Sequence, residues 1–181
     1  MRLHIIVALV ALLAGCVVAV GAAPALPAAP IRVEISVDKE KYPFRGAIPL
    51  TITYTNISTE TVELLANGLP AGEGFPGETF EVTSGAGTVR YTVVAIDPQV
   101  QTITLKPGQK WTRTIKELAV ELSRCNIDGR PDVGAGPLPD PFGRLDEYKV
   151  RLRYEPTIRA QPRPAFNGRL TSNTIKFTVT R

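Results

Sequence analysis

Histidine is nearly missing from this chain of 181 residues, and its single copy, His4, lies in an apolar N-terminal run. If that run is an export signal, the mature protein contains no imidazole. Nucleophilic catalysis by Ser-His-Asp or Cys-His groups needs an imidazole as the base, and many metal sites need it as a ligand. We therefore exclude both classes for the mature chain and expect neither enzymatic activity nor a cofactor.

Cysteine is also scarce, with only Cys16 and Cys125 in the sequence. If Cys16 is acylated or removed, Cys125 has no partner, which excludes a disulfide scaffold. A hydrophobic core must then hold the fold, and 44% apolar residues are too many for a disordered chain. We predict that Cys125 is a small buried residue; a reactive thiol beside Arg124 is the alternative.

Apolar runs long enough to enter a membrane are confined to the first twenty residues. Arg2, followed by the apolar residues 5–13, has the charge and length typical of a secretory signal. Residues 13–16 (LAGC) resemble the lipobox of bacterial lipoproteins. That resemblance implies a signal peptide of residues 1–15 and a diacylglycerol on the thiol of Cys16, which would anchor the protein in a membrane.

Two alternatives stay open for the N-terminus. In the first, the apolar run extends to Val20 and an ordinary signal peptidase cleaves near residues 22–23; in the second, the run is an uncleaved anchor. In each case we expect export, as a membrane or outer-membrane lipoprotein or otherwise as a periplasmic or secreted protein. Residues 16–30, rich in Ala and Pro from Gly21 onward, are predicted to form an extended tether.

Alternation of apolar and polar residues dominates residues 31–181 and predicts strands with one buried face. The runs are 31–37, 48–54, 62–64, 80–82, 89–93, 103–105, 111–115, 148–154 and 175–179. Glycine, proline and asparagine separate them, and residues 116–123 are predicted to form one helical turn. Strands of this kind bury their apolar faces against a second sheet, so we predict an immunoglobulin-like antiparallel β-sandwich of about nine strands.

Four short features have structural interpretations. Pro49 falls on the polar side of its run and suggests an edge strand or a bulge. Residues 56–58 (NIS) fit a glycosylation sequon but are interpreted as a turn, and residues 85–87 (GAG) as a hairpin turn rather than a phosphate cradle. Trp111 follows a turn and is predicted to be an aromatic of the core or its rim.

The order of several motifs carries a family resemblance. Residues 54–58 (YTNIS) close a strand, residues 105–109 (LKPGQ) form a tight turn, and residues 172–175 (SNTI) open the last strand. This order resembles immunoglobulin-like modules of exported bacterial proteins, in particular the N-terminal prodomain of deuterolysin-like (peptidyl-Lys) metalloendopeptidases. Bacterial proteinase inhibitors share the pattern. The resemblance implies a β-sandwich; the histidine motif of the zinc-protease half does not occur in this sequence.

Two long loops rich in proline and glycine, residues 126–146 and 155–168, interrupt the strand rhythm. Loops of this length often carry function, so we take their aromatic and basic residues as candidates for contact with a protein partner. These candidates are Phe142, Arg159, Arg163 and Phe166. Packing of the two rings onto the sandwich is the alternative.

Positive charge is concentrated near the C-terminus, where residues 151–181 hold seven basic residues and one acidic residue. This pattern is typical of a solvated strand face, and it also suits attraction to lipid headgroups or cell-wall polymers. The chain has no recognised nucleic-acid motif, and we expect no nucleic acid as a partner.

Carboxylates punctuate the first long loop. Without histidine, calcium is the metal best suited to oxygen ligands, and Asp128, Asp132 and Asp140, together with Asp146, are the candidates. Their spacing does not fit an EF-hand, and Asp-Gly and Asp-Pro pairs are ordinary turn formers. We therefore predict no metal site.

These observations favour a non-enzymatic binding or accessory module of the cell envelope. Two alternatives remain: a protease inhibitor or prodomain-like regulator, in which a loop stiffened by proline enters an active site, and a histidine-free hydrolase that works through carboxylates.

Overall fold

The computed structural model describes residues 29–67, 77–93, 100–127, 140–155, 166 and 168–181. They form eleven strands and one short helix. In chain order these are β1 (Ile31–Val37), β2 (Lys41–Pro43), β3 (Leu50–Asn56), β4 (Val62–Asn67), β5 (Glu78–Ser84), β6 (Gly87–Thr92), β7 (Val100–Leu105), β8 (Lys110–Ile115), α1 (Leu118–Ser123), β9 (Asn126–Ile127), β10 (Glu147–Tyr154) and β11 (Leu170–Thr180). Each predicted run overlaps a strand; β2 and β9 are additional, because three and two residues are too few to show alternation.

The strands form three sheets, ordered β1-β3-β8, β2-β11-β10-β5-β6-β9 and β4-β7. The paired strands described are antiparallel, except that β2 runs parallel to β11. The three-stranded and six-stranded sheets contribute to one hydrophobic core. The prediction of an all-β sandwich is therefore confirmed, with one parallel pair that the sequence did not indicate.

The core is built from alternate residues of each strand, as the sequence pattern predicts. In β1, Ile31, Val33 and Ile35 are buried and the residues between them are exposed. The two sheets meet through aromatic rings: Tyr54 of β3 and Tyr154 of β10 pack edge to face, with ring centroids 6.2 Å apart. The alternation thus predicts which face of each strand is apolar, and the ring contacts show how those faces meet.

Pro49 does not lie on an edge strand or at a bulge, contrary to the prediction. It immediately precedes β3, which is the central strand of the three-stranded sheet. Because proline has no N–H to donate, the ladder of hydrogen bonds begins at the next residue, Leu50. The carbonyl of Ile48 accepts a hydrogen bond from the Leu118 amide at 3.0 Å, so the segment before β3 is bound to α1.

The helical turn predicted within residues 116–123 is confirmed as α1. Leu118 and Leu122 lie four residues apart, on one side of the helix, and both are buried against the sandwich. This places Glu121, which lies between them in sequence, close to the core.

A β-bulge in β11 links the two large sheets. Residues 151–153 of β10 face residues 171–174 of β11, so β11 has one extra residue. Within the bulge, the Oδ1 atom of Asn173 accepts a hydrogen bond from the Ile35 amide at 2.8 Å, and its Nδ2 atom donates to the Ile35 carbonyl at 2.9 Å. An asparagine side chain thus connects β11 to the outer strand of the opposite sheet.

Asn56, at the end of β3, joins the two-stranded sheet to the sandwich. Its buried Nδ2 donates to the carbonyls of Leu105 at 2.8 Å and Glu60 at 2.7 Å, while Oδ1 accepts from the Ser58 amide at 2.9 Å. The turn predicted at residues 56–58 is therefore confirmed, and the asparagine amide has a structural role in it.

A buried ion pair crosses between the sheets. Glu78 of β5 is 0% exposed and Arg113 of β8 is 7% exposed. One oxygen of Glu78 accepts a hydrogen bond from Nη2 of Arg113, and the other accepts from the Tyr54 hydroxyl at 2.6 Å. Glu121 lies 3.6 Å from Nη1 of the same arginine. β3, β5, β8 and α1 therefore meet at one charged group in the core.

The Tyr54 hydroxyl remains a donor in this arrangement. Burial, together with the neighbouring Glu78 charge, raises the pKa of Tyr54 well above 10. A proton is therefore held between two oxygens in the core, and the Glu78 carboxylate has a partner on each of its oxygens.

We predict that Arg113→Met lowers the free energy of unfolding by about 3–5 kcal/mol, because it leaves the Glu78 charge buried without its cation. Replacing both partners, with Glu78→Met and Arg113→Met together, should restore most of that loss. Urea denaturation of the full chain, followed through Trp111, the only tryptophan, measures both values. If the double variant loses as much free energy of unfolding as Arg113→Met and Glu78→Met lose in sum, the two residues are not energetically coupled.

Candidate functional site: a basic face on the six-stranded sheet

The outward side chains of β11, β10, β5 and β6 form a polar surface, which we call the basic face. The antiparallel register aligns these side chains in three rows across the sheet. The rows are Lys176, Lys149, Thr83 and Thr88; Thr174, Arg151, Glu81 and Arg90; and Thr171, Arg153, Thr79 and Thr92. These three rows hold five basic residues and one acidic residue, and Glu147 of β10 lies beyond Lys149 on the same side, so the surface keeps a net positive charge.

Strand alternation produces this charge pattern. In β10, the buried positions are Tyr148, Val150, Leu152 and Tyr154, while Glu147, at the start of the strand, and then Lys149, Arg151 and Arg153 occupy the other side. These two arginines and Lys176 of β11 belong to the basic C-terminal stretch identified in the sequence. This part of the basic stretch therefore lies on a solvated strand face, as the sequence pattern indicates.

Glu81 lies at the centre of the basic face and gathers three arginines from two neighbouring strands. Its Oε1 accepts a hydrogen bond from Nε of Arg90 at 3.2 Å and lies 3.0 Å from Nε of Arg153. Its Oε2 accepts from Nε of Arg151 at 2.9 Å and from Nη2 of the same residue. The Glu81 side chain is only 6% exposed, because the arginines cover it.

The arginines keep Glu81 ionised. Burial by itself raises the pKa of Glu81, but the hydrogen bonds from Arg151 and Arg90 and the charges of Arg151 and Arg153 outweigh burial and lower that pKa below 4.5. A carboxylate held in this form at neutral pH accepts hydrogen bonds and is a poor general acid or base. Glu81 therefore positions the arginines.

The arginine cluster carries more positive charge than Glu81 neutralises. Three guanidinium groups against one carboxylate leave an excess of two positive charges. Arg90 and Arg153 turn Nε toward Glu81, and within the described residues their terminal nitrogens have no hydrogen-bond partner. Their side chains are 54% and 48% exposed. Guanidinium groups fixed at Nε and open at their ends are suited to binding an oxyanion.

Pairs of threonines lie on either side of Glu81 and Arg90 in β5 and β6. Thr79 and Thr92 are joined through their Oγ1 atoms at 3.1 Å, and Thr83 and Thr88 at 2.8 Å. These cross-strand pairs stabilise the neighbouring strands without adding charge. On β5 and β6, the residues on either side of Glu81 and Arg90 are therefore uncharged, and the other cations lie on β10 and β11.

The two aromatic candidates of the long loops pack onto the sandwich. Phe142 is 4% exposed and lies against Tyr148 and Phe177, with ring centroids 5.1 Å and 5.4 Å away. Phe166 is half-buried and stacks on Tyr154, with a centroid distance of 6.5 Å. Both rings therefore contribute to packing, which was the stated alternative, and Phe142 is not available as an exposed contact.

Several other predicted residues lie outside the described part of the chain. These are Cys16, Asp128, Asp132, Arg159 and Arg163. Asp140 is described, is exposed and forms a turn, in which its Oδ1 accepts a hydrogen bond from the Phe142 amide at 2.9 Å. Among the described residues, no group of three or more metal-ligating side chains is close enough to bind an ion.

Within the described residues, no helix is long and apolar enough to cross a bilayer.

Cys125 follows α1 and is buried, as predicted. Burial, followed by the charges of Glu121 and Glu78, raises the pKa of the Cys125 thiol to about 12. The thiol is therefore protonated at neutral pH, and its Sγ lies 3.5 Å from the Glu121 carbonyl. A protonated, buried thiol is a poor nucleophile, so Cys125 is a packing residue.

A small pocket lies beside α1 at the end of the sandwich. Arg45, Ile48, Glu117, Asp140 and Phe142 are among the residues that line it, and its volume is about 140 Å³. Sites for small molecules commonly enclose about 300–1,000 Å³. The basic face is therefore the stronger candidate for function.

Sequence reasoning did not identify Glu81 or Arg90. One signal was present: the hairpin turn predicted at residues 85–87 is confirmed, and its register places Glu81 opposite Arg90. Arg151 and Arg153 approach Glu81 only because β5 pairs with β10, which lies about seventy residues further along the chain. No local signal in the sequence predicts such a distant pairing.

No protein-family model matches this chain, and the comparison with curated proteins also found no match. The geometry of the chain's own residues therefore carries the evidence for its function.

We predict that Glu81→Gln lowers the free energy of unfolding at neutral pH by about 1.5–3 kcal/mol, because charge-assisted hydrogen bonds are lost. The half-exposed arginines are screened by solvent, which favours the lower end of that range. The pKa of Glu81 in the folded protein is lower than its ordinary value of 4.5. The ion pairs of Glu81 therefore contribute their full stabilisation above pH 4.5, and this contribution is lost as the pH falls through the folded-state pKa. Urea denaturation of both proteins over a pH series should show the difference shrinking in acid; a constant difference would contradict the ion-pair explanation.

Proposed function

We propose that this protein is a non-enzymatic binding module of the cell envelope, anchored through a lipid on Cys16, whose basic face binds an anionic partner. The observation that carries the proposal is the arginine cluster around Glu81. Three cations on one side of a sheet repel one another, and the single carboxylate compensates for only part of their charge. An anionic ligand would supply the missing charge.

The cluster is suited to binding rather than to catalysis. The carboxylate at its centre is held ionised beneath the arginines, and the side chains around it are threonines that pair with one another. The guanidinium ends of Arg90 and Arg153 stand in solvent while Glu81 holds each group at Nε, so part of their freedom is already lost before an oxyanion binds. Rigid placement lowers the entropic cost of binding.

The lipid anchor is supported by sequence. The LAGC motif ends at Cys16, and fourteen residues separate Cys16 from Ile31, the first residue of β1. A chain of that length, rich in alanine and proline, can hold the sandwich away from a membrane surface. An anchored sandwich would then present its basic face within the envelope.

Mass spectrometry of the mature N-terminus tests the anchor. We expect Cys16 to be the first residue and to carry a diacylglycerol, and Cys16→Ser should abolish both the modification and the processing. An unmodified N-terminus near residues 22–24 would show ordinary secretion instead and would overturn the anchor.

Binding of dextran sulfate to the purified full chain tests the basic face. We expect Arg151→Gln with Arg153→Gln to weaken binding at least tenfold, and raised salt to weaken wild-type binding, because the attraction is electrostatic. The matched control, Arg32→Gln with Lys110→Gln, removes two exposed charges from the other large sheet and should change affinity less than threefold. Equal losses in the two double variants would show general charge attraction and no defined site.

A further inference from the structure

We infer that the anionic partner is a linear phosphodiester polymer of the polyol-phosphate class, which lies along β10 on the basic face. This inference rests on the proposed function and names the ligand of the same surface. It follows from the spacing of the cations, the chemistry of their free nitrogens and the composition of the surface around them.

The cations form a stripe along one strand. Lys149, Arg151 and Arg153 occupy alternate positions of β10, and alternate side chains on a strand are about 7 Å apart. Lys176 lies beside the stripe on β11, and Arg90 lies on the other side, on β6. A stripe of regularly spaced cations fits a linear polymer with regularly spaced anions better than it fits a compact ligand.

The phosphodiester group fits the nitrogens that remain free. It keeps one full negative charge at neutral pH, and its two non-bridging oxygens point in different directions. One oxygen can therefore contact Arg151 while the other contacts Arg153 or Arg90, whose terminal nitrogens are not bound to Glu81. A phosphate chain with a three-carbon polyol between successive phosphates repeats on the length scale of the stripe.

The surface does not have the features that other phosphate-bearing partners use. Single-stranded nucleic acids bind through aromatic rings on which bases stack, and the three rows of the basic face contain none. Peripheral membrane binding commonly adds apolar side chains that enter the bilayer. The large exposed hydrophobic residues described, Phe44, Ile57, Val89, Val120 and Leu145, do not belong to the three rows.

The test measures binding of the full chain, in nonionic detergent, to poly(glycerol phosphate). Polyglutamate of equal charge, oligothymidylate, and vesicles of phosphatidylglycerol with phosphatidylcholine serve as comparison ligands. We expect poly(glycerol phosphate) to bind at least tenfold more tightly than each of them. Three phosphate contacts predict that log K falls with log salt with a slope of about −2, since each contact contributes about −0.7 on a single strand.

Three double variants locate the site. Arg151→Gln with Arg153→Gln should reduce the slope to about −0.7, whereas the control Arg32→Gln with Lys110→Gln should leave it unchanged. Arg151→Lys with Arg153→Lys preserves the charge, so it should preserve the slope and weaken binding several-fold through loss of the guanidinium geometry. An unchanged affinity in the lysine variant would overturn the role assigned to the guanidinium groups, even if the glutamine variant fails to fold.

The comparison ligands separate failure of this inference from failure of the proposed function. Equal binding of polyglutamate would overturn the phosphodiester assignment and leave an anion-binding module. Preference for the vesicles or for oligothymidylate would overturn the choice of polymer. If none of the four ligands binds but dextran sulfate does, only the inference fails; if dextran sulfate does not bind either, the inference and the proposed function both fail.

Discussion

The buried pair of Glu78 and Arg113 is the interaction on which the arrangement of the two large sheets depends. Each charge loses water on folding, and attraction between the two offsets that cost only while both are present and aligned. Tyr54 and Glu121 then fix the pair from a third strand and from α1. Apolar side chains alone would tolerate small shifts between the sheets, whereas this hydrogen-bonded group requires one alignment.

The same strand connects this buried pair to the basic face. In β5, Glu78 points into the core and Glu81 points outward, three residues further on. Inside, Arg113 meets Glu78 and also lies near Glu121, so no positive excess remains; outside, three arginines meet one carboxylate and a positive excess remains. Because water screens the outer charges, the excess is tolerable there and would not be in the core. Burial therefore separates the structural ion pair from the basic face.

Local pattern predicted much of the fold and little of the site. Alternation located each described strand of six or more residues, and residues 85–87 predicted the hairpin turn, because both signals lie within a few neighbouring residues. Arg113 sits at a position that alternation marks as buried, yet its partner Glu78 is thirty-five residues away, so no local signal pairs them. Pro49 was misassigned for the same reason: the strand that it precedes is central only because of where β1 and β8 pair.

The bulge at Asn173 affects whether copies of this chain can pair through their sheet edges. β1 is an outer strand of its sheet, and the unpaired backbone of such a strand can recruit a strand from another molecule. At Ile35, the amide and the carbonyl are both already bound by the asparagine side chain, which takes the place of a neighbouring strand. Copies of the chain at high concentration would thus meet at an edge where docking is blocked at Ile35, which guards against aggregation.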